Sequence, residues 1–352
     1  MRFQRDLLKD VEGYTPGEQP KGGGVIKLNT NENPYPPSPK VLEALRGIGA
    51  EQLRKYPDPV FTAFRAACAE RYGAPGAEWI MIGNGMDELL ALALRTFVDP
   101  GDTVIATYPT YSLYEVLCSL HGAKLEYFDL DEDFQIGEPM FAAKGRLCLL
   151  TRPNAPTGVS ATRASVERLV QGFDGLVLID EAYVDFAEDS CIDLPQKYDN
   201  VLVMRTFSKS FSLAGMRIGT CVANPALINE FLKTKDSYNM NVVAQIVGLA
   251  AMDDYDYMRA SAAKVCATRA ALTASLRDLG FDVRDSQTNF VLAYWTPGAK
   301  GRTAKDLFLA LKERNILIRY FPYRRLDNAL RITVGTDEEC NALLAALRDI
   351  LG

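Results

Sequence analysis

The chain has a single histidine, His121, among 352 residues. Metal centres and proton relays built on several imidazoles are thereby excluded. A lone His at the end of LYEVLCSLHGA reads as a helix-end residue before a Gly122 cap. Cysteine is dispersed: the seven residues, at 68, 118, 148, 191, 221, 266 and 340, include no close pair. That spacing suits neither a zinc site nor a disulfide framework, and segments such as RLCLL and GTCVA read as reduced core positions of a cytosolic protein. No apolar run approaches the roughly 18 residues that span a bilayer, and the N-terminus MRFQRDLLKD is too charged for a signal peptide. Positive charge is not in excess: 39 Lys and Arg against 45 Asp and Glu leave a net charge of −6. A nucleic-acid partner is therefore not expected. There is no internal repeat, linker tract or low-complexity segment.

What is present is the composition of a globular enzyme, 48% hydrophobic and 24% charged, in a chain long enough for two domains. Residues 11–40 are rich in Gly, Pro and Asn and read as an extended arm, not a packed element, either loosely held or laid across a partner. From about 38 to 225, helical periodicity alternates with short apolar runs. EWIMIGNG, DTVIATYP, AKLEYFDL, RLCLLT, LVLIDEAYVDF and VLVMRTF read as strands, with helices between most of them. Strands apolar nearly throughout indicate an α/β layer with a mostly parallel sheet covered by helices. Beyond about 225 come long helices and then strand, helix, strand, strand, helix: a smaller α+β domain. The expected division is an arm over 1–35, a large domain over 36–235 and a small domain with a bridging helix over 236–352.

In such sheets, sites gather outside the carboxyl ends of strands. Lys209, Asp180 and Asn154 each follow an apolar strand run. Lys209, in RTFSKSFSLAGMRIG, sits among Thr206, Ser208, Ser210 and Ser212 with Arg217 eight residues on; a lysine held so can form a Schiff base with a carbonyl group. Asp180, in VLIDEAY, can bind backbone amides or cap a helix, or it can pair with a protonated ring nitrogen, with Tyr183 near the same ring. Asn154 sits in the rigid turn RPNAPTG. The helix start in GNGMDE is a candidate anion site, with Thr206, Ser208 and Arg217 as further donors. Tyr108, Tyr111 and Tyr114 form a cluster from which one ring can stack on a planar cofactor. Arg319 in ILIRYFP and Arg331 in ALRITVG stand in apolar strands, as anion ligands or as members of structural ion pairs.

The ordered set TNENPYPPSP, RKYPDP, GNGMDELL, YPTYSLY, RPNAPTG, DEAYVDF, TFSKSFSLAGMRIG and ALRITVGT resembles the fold-type I pyridoxal-phosphate aminotransferases, and among them the histidinol-phosphate aminotransferase family, over nearly the whole chain. The resemblance implies a seven-stranded, mostly parallel large-domain sheet, pyridoxal 5′-phosphate as cofactor, a cytoplasmic homodimer, no metal, and exchange of an amino group between histidinol phosphate and 2-oxoglutarate in histidine biosynthesis. A same-fold aromatic amino-acid aminotransferase is the nearest alternative. Lys209 would be the Schiff-base lysine. Asp180 would pair with the pyridine nitrogen, Asn154 and Tyr183 would hold the ring oxygen, and Tyr111 would stack on the ring. Met86 and Asp87, with Thr206, Ser208 and Arg217, would hold the phosphate, joined by Tyr56 from the other subunit. Arg319 and Arg331 would bind substrate anions, with Asn33 and the partner arm's Tyr14 at the mouth. The family's usual NPNNPTG loop is RPNAPTG here: Arg152 and Ala155 replace two asparagines, a change expected to alter packing more than chemistry. Ser210 and Ser212 stand where small or glycine residues are common.

Overall fold

The computed structural model describes residues 3–9, 11–20, 23–296 and 301–352; residues 1, 2, 10, 21 and 22 of the arm lie outside the described residues. A short strand, β1 (Ile26–Lys27), precedes the large sheet. That sheet comprises β2 (Ile80–Gly83), β3 (Thr103–Tyr108), β4 (Lys124–Asp129), β5 (Leu147–Thr151), β6 (Leu176–Asp180), β7 (Val201–Thr206) and β8 (Gly219–Ala223). The spatial order is β2-β8-β7-β6-β5-β3-β4, and β8 alone runs against the others. Every residue of β2, β5, β7 and β8 is buried, because helices cover both faces. The edge strand β4 (KLEYFD) is open and charged, a composition that blunts an unpaired sheet edge.

The order follows from local signals. The helix Met86–Phe97 begins with acidic Asp87 and Glu88. The helix Leu113–His121 ends at a left-handed Gly122, with His121 Nε2 against the Val98 carbonyl, as its position suggested. The seven cysteines are all free thiols. Among the described residues no group of His, Cys, Asp and Glu could hold a metal ion, and no helix is long and apolar enough to cross a membrane.

The second sheet consists of β9 (Asp282–Val283), β10 (Phe290–Tyr294), β12 (Arg319–Tyr320) and β13 (Ala329–Thr333), antiparallel in the order β12-β13-β10-β9. Between its strands, β11 (Ile316–Leu317) leaves to pair in parallel with β1. The run ILIRYFP, expected as one strand, is thus split between two sheets. The pairing also involves the expected arm. From Ile26 onward the segment is packed: Leu28, Asn29 and Asn31 are buried, and the Leu28 amide donates to the Leu317 carbonyl. The end of the arm thus packs on its own chain, through the two-stranded β1–β11 sheet. One apolar cluster runs from Phe64 and Ile80 through Phe207 to Phe290 and Leu343, so the large and small sheets share a continuous core.

LVLIDEAYVDF also breaks early. β6 stops at Asp180, and Val184–Phe186 is a 3₁₀ turn. The Asp180 carboxylate accepts the Ala182 amide, and Glu181 turns inward to receive Arg205 Nε and Nη2 at 3.0 and 2.9 Å, the Ser190 hydroxyl and the Cys191 amide. Glu181 and Arg205 are both buried. Removing one member of such a pair strands the other charge, so Glu181→Ala is expected to lower unfolding free energy by about 3–5 kcal/mol, read by urea denaturation.

Candidate active site

The parallel strands deliver their carboxyl ends to one edge of the large sheet. Asp180 closes β6 and Thr206 closes β7 two residues before Ser208. Arg217 reaches the same edge from the other direction because β8 is reversed: Gly219 stands level with both Gly83 and Thr206. A Cβ at Gly219 would lie 2.5 Å from the Met86 nitrogen. Only glycine lets β8 begin that close to the start of the helix Met86–Phe97.

That helix has no side-chain cap at Gly85, so its first-turn N–H groups face the cleft as a positive pole. Arg217 joins them: its guanidinium donates to Asp87 at 3.1 Å and to the Ser208 hydroxyl at 3.3 Å. Gly85, with φ of 88°, leaves room for Arg217, whose Nη2 would be 2.6 Å from any Cβ there. Helix amides, hydroxyl and guanidinium converge as a cup for a compact dianion.

Deeper in, Asp180 is 1% exposed. Tyr114 donates to one oxygen at 2.7 Å and the Ala182 amide to the other at 3.0 Å. Both donors are neutral, and burial lifts the carboxyl to about 6 against their opposing pull. A carboxylate kept dry without a cation is poised to receive one. The Lys209 amine lies across the cleft, donating to the Thr30 carbonyl at 3.3 Å. Desolvation first, then the Arg331 charge, bring it down to about 8.

The outer wall is built by the second sheet. Arg319 and Arg331 stand directly opposite each other in the β12–β13 pair. Like charges so placed repel, yet no carboxylate bridges either one among the described residues. Arg331 donates from Nη2 to the Asn29 carbonyl at 2.9 Å, its Nε is buried without a partner, and its guanidinium lies over Phe290 and Phe321. Desolvation lowers its pKa, with Arg319 adding to the effect. Two cations held together without acids form a site for anions.

Comparison with known proteins gives the family. The model of the aminotransferase class I and II family matches residues 23–347. The chain belongs to this family. It is 44% identical to a histidinol-phosphate aminotransferase of Microcystis aeruginosa, over 99% of this chain and 98% of that one. It is 42% identical to one of Geotalea daltonii, over 98% and 99%. Its fold superposes with a TM-score of 0.88 on the histidinol-phosphate aminotransferase of Sinorhizobium meliloti solved with pyridoxal-5′-phosphate, at 25% identity over 100% of this chain and 98% of that one.

Within this aminotransferase the expected residues fall into three groups. Lys209, Asp180, Tyr183, Tyr111, Asp87, Ser208, Arg217 and Arg331 border one cleft. Tyr111 faces Asp87 and packs edge-on against Tyr114 at 5.8 Å. Tyr183 accepts the Asn31 amide at 2.9 Å, leaving its own proton free to donate, and its ring lies 5.7 Å from the Lys209 amine.

A second group is occupied in holding backbone. Asn33, expected at the substrate mouth, donates to the Lys209 and Ser210 carbonyls at 3.1 Å and accepts the Tyr35 amide, so it braces the lysine turn. The Thr206 hydroxyl receives the Ser208 amide and donates to the Ile218 carbonyl. Asn154 donates to the Pro109 carbonyl at 3.1 Å and accepts from Thr157, which leaves one amide hydrogen free among the described residues. Arg152 turns away, to Asp189 at 2.6 Å and the Ala161 carbonyl at 2.8 Å, so the RPNAPTG departure acts on loop packing. Ser212 takes a φ of 59°, where a glycine would be unstrained.

The third group comprises the residues expected to act across subunits, together with Arg319. Tyr14, expected from a partner's arm, lies 5.8 Å edge-on to Tyr111 of the same chain. Arg319 donates to the Thr15 carbonyl, Asn29 donates to the Glu18 carbonyl, and Lys312 pairs with Glu18. These tie the arm to its own small sheet. Tyr56 is 81% exposed and stacks on Tyr238 with centroids 4.4 Å apart.

Sequence reasoning missed the work of 29–33. This segment crosses the cleft and touches Arg331, Lys209, Tyr183 and the lysine turn in succession. The signal was there, as five consecutive polar residues (Asn29, Thr30, Asn31, Glu32, Asn33) directly after the apolar Leu28.

Proposed function

We propose that the protein transfers an amino group from histidinol phosphate to 2-oxoglutarate, giving imidazole-acetol phosphate and glutamate in histidine biosynthesis, with pyridoxal 5′-phosphate as cofactor. The observation that carries the substrate reading is the Arg319–Arg331 cross-strand pair, which has no acidic partner among the described residues. One guanidinium suffices for an amino-acid carboxylate; a second suits a substrate that brings a phosphate.

The residues present fit the cofactor. Asp180, buried with neutral donors only, offers the carboxylate that a protonated ring nitrogen requires. The uncapped helix start at Met86 and Asp87, with Ser208 and Arg217, suits its phosphate, while Thr206 braces the Ser208 amide. Tyr111 offers a ring to stack, and Tyr183 and the free Asn154 hydrogen offer donors for its phenolic oxygen. When bound, the cofactor supplies an aldehyde carbon for the amino group and an electron-accepting ring. The chain's own part is positional and acid–base. Arg331 grips the carboxylate of glutamate or 2-oxoglutarate, and Arg331 with Arg319 grips the phosphate of histidinol phosphate. The Lys209 amine, neutral above about pH 8 in the free cleft, takes the proton from the donor's Cα and returns one to the acceptor's Cα. Asp180 holds its charge opposite the ring nitrogen throughout.

The domains divide as an arm, a large cofactor-binding domain to about 235 and a small domain to 352. The chain acts as a cytoplasmic homodimer in which Tyr56 reaches the neighbouring subunit's phosphate cup. The exposure of Leu53, Tyr56 and Val60 in one short stretch supports an interface there. Steady-state assays test the substrate: histidinol phosphate with 2-oxoglutarate turns over faster than phenylalanine with 2-oxoglutarate, and equal rates would reject the reading in favour of an aromatic aminotransferase. Arg319→Ala is expected to raise KM for histidinol phosphate about 100-fold and to affect glutamate far less, since a charge-assisted contact to phosphate is lost.

A further inference from the structure

The hairpin that carries both arginines is clamped to the large sheet at one place. Residues 321–328 join β12 to β13, and Arg324 lies at their outer bend. It makes a bidentate pair with Asp129, at 2.6 and 2.7 Å, and its guanidinium covers the Tyr108 ring at 4.5 Å. The Tyr108 hydroxyl donates back to the Arg324 carbonyl at 2.9 Å. Arg325 adds bonds to the Leu130 and Asp131 carbonyls, and Arg284 pairs with Asp133 at 3.1 Å. Three arginines thus close on the end of β4 and the turn that follows it. Behind them Leu326 is buried against Leu292 and Ala329.

The receiving groups are themselves placed by register. Tyr108 and Asp129 are cross-strand neighbours at the carboxyl ends of β3 and β4. Tyr108 also opens the turn leading to Tyr111, and the next carbonyl, Pro109, is held by Asn154. One contact therefore ties the arginine hairpin to the turn bearing the stacking tyrosine. We infer that Asp129 and Arg324 are positioning residues, forming a latch that holds Arg319 and Arg331 over the cleft in register with Tyr111. The inference rests on those arginines as the substrate's anion site. A solitary exposed ion pair contributes little; here the bidentate geometry, the stacked ring and the backbone bonds act on one short bend, and the expected effect is on substrate grip.

Charge reversal tests it. Asp129→Arg is expected to raise KM for the phosphate substrate and for 2-oxoglutarate together, about tenfold, with kcat altered less than about threefold. The double variant Asp129→Arg with Arg324→Glu is expected to recover most of the loss. Tyr108→Phe, a mild change that leaves folding intact, shifts both KM values the same way by a smaller factor. Hydrogen exchange on the protein alone provides a second readout: amides of 319–331 exchange about tenfold faster in Asp129→Arg and return in the double variant. Unchanged exchange there, or a fall in kcat without a rise in KM, overturns the latch. The exchange readout needs no substrate, so failure of histidinol phosphate to turn over would reject the substrate reading and leave this test standing.

Discussion

Lys209→Ala is expected to abolish transamination while leaving a folded protein that, below pH 8, is more stable than the wild type. The loss is at least about 10⁴-fold in kcat, because the variant lacks both the amine that anchors the cofactor and the group that moves the Cα proton. The gain follows from how the amine is held. Its one hydrogen bond, to the Thr30 carbonyl at 3.3 Å, is long, and desolvation with the Arg331 charge brings it to about 8. An unfolded lysine titrates near 10.4. Below pH 8 both states carry the proton and the folded state bears the full penalty, up to roughly 3 kcal/mol. As pH rises from 8 toward 10.5 the folded amine has already lost its proton, the unfolded chain still binds one, and the penalty fades. Urea unfolding of the cofactor-free proteins at pH 7 and pH 10 measures this. Equal stabilities at pH 7 would mean that the amine is not desolvated as the geometry implies.

Much of this site was legible in the sequence because its parts are local. The runs before Lys209, Asp180 and Asn154 are apolar enough to read as buried strands, and the rule that α/β sites lie at carboxyl ends then groups residues far apart in the chain. The helix start at Met86 is equally local. Arg217 was readable as a further anion donor; that it arrives at the right edge depends on β8 being reversed, which no periodicity reports.

What escaped is non-local. ILIRYFP alternates like one strand, and nothing in it says that Ile316 pairs with Ile26 while Arg319 pairs with Arg331. The arm's composition is rich in turn formers, so its capture by the small sheet, with Leu28 buried, could not be read from propensity. Tyr114 was one of three tyrosines in a cluster that offered a ring for stacking. Its contact with Asp180 arises because Thr151, its other partner, is the cross-strand neighbour of Asp180 in β5–β6. Glu181 escaped for the same reason: its partner Arg205 is on the adjacent strand.

Asp180→Asn produces the second large effect, and its pH signature is the reverse of that of Lys209. Asparagine keeps the contacts of the site: its carbonyl accepts the Ala182 amide, and its NH₂ donates to the Tyr114 oxygen, whose own proton turns to Thr151 at 2.8 Å. What it loses is the charge that a protonated ring nitrogen needs. Leaving a buried cation unpaired costs about 3–5 kcal/mol, so kcat is expected to fall about 10²–10⁴-fold and cofactor affinity with it. In the cofactor-free protein the sign inverts. Burial lifts Asp180 to about 6 from an ordinary value of 3.8. Below pH 3.8 the carboxyl is neutral in both states, and the substitution changes little. Between 3.8 and 6 the folded state holds a proton that the unfolded state has released, so wild-type stability falls as pH rises. Above 6 the penalty is complete, roughly 3 kcal/mol, and the asparagine variant is more stable by about that amount. Thermal unfolding of the cofactor-free proteins at pH 4 and pH 7.5 separates the cases. A gain present only at pH 7.5 shows that the chain carries a dry carboxylate for the sake of a ligand's positive charge; a variant less stable at both pH values would make Asp180 a structural acceptor for Tyr114 and Ala182. Lys209 and Asp180 then stand as two opposite charges on one cleft, each kept where the cofactor-free fold would be better off without it.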